Sequence, residues 1–195
     1  MKCATCENKE CYNGKDCTGI GEEIKQEYKG EDLKTLVVST SIESEFYMKK
    51  TRLEELIIYA KRMGYRRIGI AFCIGLEKEA KVIHDILSEH FEVSSVCCKV
   101  CGIDKSSFGL KRLRGDRGVE AMCNPIGQAK ILNKSKTDLN VILGLCIGHD
   151  ALFAKYSEAP VTTLAVKDRV LAHNPLAVVY SGYYLKRIRG SESRD

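Results

Sequence analysis

Ten cysteines stand in this 195-residue sequence, and their spacing is the first feature that could do chemistry. Four of them, Cys3, Cys6, Cys11 and Cys17, are spaced C-x2-C-x4-C-x5-C near the N-terminus. Two residues between Cys3 and Cys6 let both sulfurs point inward around a tight turn. Four thiolates then complete a tetrahedral zinc site or hold an iron–sulfur cluster. Asn13 and Gly14 supply the turn between the later pair. The surrounding segment is polar, rich in Gly, Asn and Lys, and has no hydrophobic periodicity from which to build its own core. Its spacing matches neither the common zinc-finger halves nor the bacterial ferredoxin run.

The remaining cysteines are Cys73, Cys97, Cys98, Cys101, Cys123 and Cys146, with His149 and His173 nearby in sequence. A free cysteine is among the most buried residue types and behaves as a small hydrophobe, so any single one is ordinarily core. Cys97 is assigned to the core, because adjacent strand residues point to opposite faces. The joint pattern asks for more. RRIGIAFC, FEVSSVCC and NVILGLC are apolar runs that close on Cys73, Cys98 and Cys146. Cys123 immediately precedes Asn124-Pro125, a helix-start signal, where the dipole and free N–H groups stabilise a thiolate. A second metal or cluster site is expected where these thiols meet.

A competing chemistry uses the same letters. Gly144-Leu145-Cys146-Ile147-Gly148 is G-x-C-x-G, the cysteine version of a nucleophile elbow, with His149 or His173 as base. Against it, only 49 residues follow Cys146, and Asp168 and His173 lie five apart. That leaves little room for the rest of a hydrolase. KDRVLAHNP (167–175) has two readings. Lys167, Arg169 and His173 hold a small anionic ligand beside the metal, or the segment is a solvated loop ending in an Asn174-Pro175 cap. His84 and His90 belong to the second helix, as surface or interhelical residues.

Periodicity supplies the elements that must position these groups. Strands are expected at 35–41 (TLVVSTS), 66–73, 92–98, 140–146 and 161–167. Helices are expected at 44–63, closed by Gly64, at 76–90, from Asn124 onward, over GHDALFAKYS, and at 174–186. This alternation implies a five-stranded, mainly parallel, doubly wound α/β sheet spanning 31–195, preceded by a cysteine-rich extension over 1–30. Ligands of such sheets bind at the carboxyl ends of the strands. One sheet edge would therefore gather Cys73, Cys98 and Cys146.

Hydrophobic residues make up 44% and charged residues 29%, as in a soluble globular protein. The apolar runs are shorter than the ~18 residues of a membrane span, and MKCATCENKE carries no apolar signal region, so a cytoplasmic location is expected. In a reducing compartment, thiols at this density serve as metal ligands, catalytic groups or core residues rather than disulfides. The formal charge of +5 counts every thiol as neutral and so says little about partners. KRLRGDRG (111–118) and LKRIRG (185–190) lack stacking aromatics, which argues against nucleic acid. Phosphate-loop and dinucleotide signatures are absent.

The stretch MCNPIGQAKILN, followed by GLCIGHDALFAKYSEAPVTTLAVKDRVLAHNP, resembles a family of uncharacterised prokaryotic proteins described as predicted metal-binding. In that family too, an N-terminal cysteine cluster precedes an α/β domain. The resemblance covers nearly the whole chain, and implies metal binding through cysteines without a known reaction. Its ligands fall on Cys3, Cys6, Cys11 and Cys17 in the cluster, with Cys98, Cys123 and Cys146 at the sheet edge. Cys73 and Cys101 fit less closely. Surplus thiols and a strand-edge group with an open position favour an iron–sulfur cluster over zinc. The alternatives are a Cys146 nucleophile enzyme and a zinc-stabilised, non-catalytic binding module.

Overall fold

Four apolar runs pair into one parallel sheet in the order β2-β1-β3-β4: β1 (Arg67–Phe72), β2 (Glu92–Cys97), β3 (Leu139–Leu143) and β4 (Val161–Ala165). The computed structural model describes residues 1–113, 115 and 118–190. Arg114, Asp116 and Arg117 of the basic KRLRGDRG run lie outside them. Two compact units are present, Met1–Lys50 and Thr51–Asp195, and the sheet belongs to the second.

Helices cover both faces of the sheet. On one face, α3 (Arg52–Met63) and α4 (Glu77–Ser88) bring Leu56, Ala60, Ala80 and Leu87 onto Ile68, Ile70, Val141 and Leu143. On the other, α5 (Pro125–Lys134) and α6 (His149–Tyr156) bring Ala129, Leu132 and Phe153 onto Ala71, Val96 and Ile142. The sheet is thus doubly wound, as the strand–helix alternation implied. Local chemistry sets the helix ends. Thr51 and Glu54 form a reciprocal capping box, Gly64 stops α3 at φ 81°, and Asn124 accepts the Gly127 N–H at 2.9 Å. From β1 the chain winds one way to β2, then returns past β1 to β3 and β4. The switch point therefore lies between β1 and β3, where loops diverge and leave a crevice.

The expected fifth strand, 35–41, is helical. TLVVSTS lies inside α2 (Gly30–Phe46), which belongs to the first unit with α1 (Gly21–Glu27). Val38, Ile42 and Phe46 follow at four-residue intervals and are among its less exposed positions, whereas Val37 is 58% exposed. Glu31 and Asp32 in the first turn suit the positive end of the dipole. Helical period overrode the β-branched composition. The expected single helix 44–63 is accordingly two, broken between Phe46 and Arg52. The last helix also differs. Pro175–Tyr180 is a 3₁₀ segment, the Asn174 side chain makes no cap bond, and Ser181 caps α7 (Gly182–Ile188) by accepting the Tyr184 N–H. No helix among the described residues is long and apolar enough to cross a membrane.

Candidate functional site

Four backbone hydrogen bonds carry the ladder one step past the strand ends. Asn124 N–H donates to Cys98 O (2.7 Å), Cys98 N–H to Phe72 O (2.8 Å), Cys73 N–H to Leu143 O (3.2 Å) and Gly144 N–H to Ala165 O (2.7 Å). They set Cys123, Cys98 and Cys73 in a row along the carboxyl edge, with Cys146 two residues beyond Gly144. Parallel topology also brings the N-termini of α4, α5 and α6 to this edge, where their free N–H groups favour negative charge. The loop from β2 to α5 is pinned by an antiparallel bridge between Asp104 and Ala121 and by the Arg112–Asp104 ion pair at 2.6 Å. That pinning returns Cys123 to the sheet.

The two inner thiols are almost closed off, Cys73 at 6% and Cys98 at 2% exposure, while Cys123 and Cys146 are half-buried. Cys98 lies at the centre, beside both Cys123 and Cys73. Its sulfur also accepts the Ile74 N–H at 3.4 Å. The outer three thiols each meet a cation. Lys99 Nζ lies 3.5 Å from Cys123 Sγ, and Arg169 Nη2 lies 3.0 Å from Cys146 Sγ. Lys167 lies beside Cys73, near Gly75. Among the described residues, three thiol–cation pairs thus surround one thiol without a cation of its own.

This arrangement separates the protonation states. Cys73 is lowered to about 5 by the Cys98 thiol, the Gly75 N–H and Lys167, against the opposing effect of burial. Cys123 is lowered to about 5 by the Cys98 thiol, by Lys99 and by His149, again against burial. Cys98 is pushed far up by its contacts with Cys123 and Cys73 and by burial. In the metal-free protein, Cys98 therefore keeps its single proton, which it can share with one neighbouring thiolate at a time. Arg169 is held more firmly protonated by Cys146.

The glycines of GLCIGHD have uses that do not involve a bulky centre. Gly144 has φ 66°, and a methyl group there would overlap Leu76 Cδ1. Gly148 has φ 80° and precedes the first turn of α6. Cys146 O accepts the His149 and Asp150 N–H groups, so Cys146 starts that turn. Among the described residues, the hydrogen-bond partner of the Cys146 thiol is Arg169 rather than a histidine base. His173 clips its own loop: its Nδ1 accepts the Asp168 N–H (3.1 Å), and its N–H donates to Asp168 O (2.9 Å). Lys167 and Arg169 face the thiols, whereas Cys101 is exposed at φ 70°. Cys97 is half-buried against the α5–α6 core and accepts the Lys99 N–H at 3.5 Å.

In the first unit, Cys3, Cys6, Cys11 and Cys17 are all exposed. Cys6 N–H donates to Cys3 O (3.2 Å) and Gly14 N–H to Cys11 O (3.1 Å), which makes a tight turn from Cys3 to Cys6 and another starting at Cys11. The Cys17 thiol is pushed up by partial desolvation and by the nearby charges of Cys11, Glu10 and Cys6. The Asp16 carboxylate organises the next turn by accepting from the Thr18 hydroxyl and the amides of Gly21, Thr18 and Gly19, which hold it below the usual carboxylate range. Among the described residues, no group of three or more His, Cys, Asp or Glu side chains stands ready to hold a metal ion. At the sheet edge, Cys146 is turned to Arg169 while Cys98 remains a neutral thiol.

Residues 11–164 match the model of a family described as "Protein of unknown function (DUF1847)". The chain is also 61% identical, over 191 residues, to "Uncharacterized protein MJ0455" of Methanocaldococcus jannaschii, with 96% of this chain and 98% of that protein covered. No solved structure matches.

Proposed function

This chain belongs to the DUF1847 family, and from its sheet edge we propose that it binds a thiophilic centre through Cys73, Cys98, Cys123 and Cys146. One observation carries the proposal: four cysteines from the β1–α4, β2–α5 and β3–α6 connections share one edge, and three of them face Lys167, Lys99 and Arg169. A hydrophobic core has no need of thiols in that arrangement, and a buried charge needs partners. Four thiolates around a divalent ion or an oxidised four-iron cluster carry a net charge of about −2, which the three cations offset. An iron–sulfur cluster is preferred over zinc, as the group that would supply electron transfer.

The chain's own part is to release the Cys98 proton, turn Cys146 away from Arg169 and keep the three cations close. Metal binding and thiol deprotonation then occur together. Lys167 and Arg169 border the outer side of the site and suit a small anionic ligand there, with His173 closing their loop. Cys3, Cys6, Cys11 and Cys17 are proposed as a second centre, supported by their density in sequence and by the tight turns that start at Cys3 and Cys11.

A second reading, a Cys146 nucleophile, is favoured by the glycine-bounded turn that brings this cysteine to the start of α6. The two readings separate experimentally. Anaerobically purified protein is analysed for iron, zinc, acid-labile sulfide and its absorption spectrum, alone and with Cys98→Ser or Cys123→Ser. Metal that falls in both variants supports the centre. Full metal content in both variants, or none in the parent chain after anaerobic reconstitution, sinks it. A Cys146→Ala variant that loses only reactivity toward an alkylating agent supports the nucleophile.

A further inference from the structure

The residue between α5 and the sheet that an apolar core explains least is Gln128. It is 0% exposed, among Ala129, Leu132 and strand residues of the same face. Its Nε2 donates to Val96 O (2.7 Å) and to Phe72 O (3.1 Å). Its Oε1 is buried and has no hydrogen-bond partner among the described residues. Burying an amide with an unsatisfied oxygen is unfavourable, and a leucine or methionine would fill the same space without that penalty. The two donors must therefore be what the position keeps.

What those donors hold is informative. Phe72 immediately precedes Cys73, and Val96 lies two residues before Cys98. Phe72 O already accepts the Cys98 N–H at 2.8 Å, so the glutamine braces a rung the ladder has already made. Gln128 itself sits one turn into the helix that begins after Cys123 and Asn124, and Asn124 N–H is bonded to Cys98 O. One side chain thus ties together β1, β2 and α5, the three elements that carry Cys73, Cys98 and Cys123. We infer that Gln128 is a positioning residue for the thiol site, setting the spacing of Cys73, Cys98 and Cys123 through the Phe72 and Val96 carbonyls. This rests on the proposed thiolate centre for its metal readout only. Groups that orient metal ligands in this indirect way change affinity by about 10- to 100-fold when removed.

The test uses the full chain with Gln128→Leu and Gln128→Met, both of which fill the space and remove the donors. Zn²⁺ and Co²⁺ are the probes, titrated anaerobically against a competing chelator. In the metal-free protein, the alkylation rate of each cysteine by iodoacetamide is read by peptide mass spectrometry. The expected result is a folded variant whose Zn²⁺ dissociation constant at the sheet site rises about 10- to 100-fold, with altered Co²⁺–thiolate absorption. Alkylation of Cys73, Cys98 and Cys123 changes, while that of Cys3 and Cys101 does not. If the parent chain binds no metal at the sheet edge, the thiolate centre fails, and the alkylation pattern alone decides the role of Gln128. Unchanged affinity and alkylation in either folded variant overturn the inference. So does failure of both variants to fold, since Gln128 would then serve the core as a whole.

Discussion

Replacing Lys99 by methionine should raise the Cys123 thiol while leaving Cys73 where it is. Methionine keeps most of the apolar stem of lysine and deletes its charge. The ammonium lies 3.5 Å from Cys123 Sγ. Two unit charges at that separation attract by roughly 4–5 kcal/mol at an effective dielectric of about 20. Lys99 is half-exposed, so water screening leaves about 1.5–3 kcal/mol, or roughly one to two pKa units. Cys98 has the larger influence on Cys123, and it remains, so the thiol should stay below its ordinary value. The assay is the pH dependence of alkylation at Cys123 in metal-free protein, resolved by peptide mass spectrometry. Lys167→Met serves as the mirror experiment and should raise Cys73 instead. Circular dichroism controls for the Lys99–Ala121 hydrogen bond at 2.7 Å, which the first variant also loses. Equal movement of both thiols, or of neither, would refute the pairing of each lysine with its own cysteine.

Gly144→Ala should destabilise the protein by about 2–4 kcal/mol, combining an L-residue at φ 66° with overlap on Leu76. Urea unfolding measures it, and adding Leu76→Ala should relieve the overlap but not the backbone strain. The metal-free protein should gain stability as pH rises from about 5 to about 9. Cys73 and Cys123, both lowered to about 5 from an ordinary 9.0, bind fewer protons folded than unfolded in that window. Each contributes at most about 1.4 kcal/mol per pH unit. Above about 9 the sign reverses, because folded Cys98 keeps a proton that the unfolded chain releases. Anaerobic urea titrations at several pH values check this, and a stability that falls between pH 6 and 8.5 contradicts it.

The four strands of the second unit were legible because each is an apolar run punctuated by a helical period, and parallel pairing follows from that alternation. TLVVSTS misled because the three apolar residues in a row, Leu36, Val37 and Val38, satisfy either period. Only the continuation to Ile42 and Phe46 reveals the helical one. Asn124 and Asn174 carry the same Asn-Pro signal, yet only the first caps a helix. Ala172 and His173 enter the left-handed region just before Asn174, and the PLAVVY run tightens into a 3₁₀ segment. Cys98, Cys123 and Cys146 were legible as a group from strand ends and a helix start. The closeness of Cys73 to Lys167, and the brace from Gln128 to Phe72 and Val96, were not. Both join positions 32 or more residues apart within one chain, and no local period reports such pairs.

The most direct test of the thiolate site removes its rival first. A chain with Cys3, Cys6, Cys11 and Cys17 all changed to serine is purified anaerobically, reconstituted with iron and sulfide or with Zn²⁺, and analysed for metal per folded chain. The expected result is about one centre per chain, lost when Cys98→Ser is added. A quadruple variant that stays folded yet holds no metal, beside a parent chain that does, would place all metal binding in the N-terminal cysteines and contradict a centre at the sheet edge.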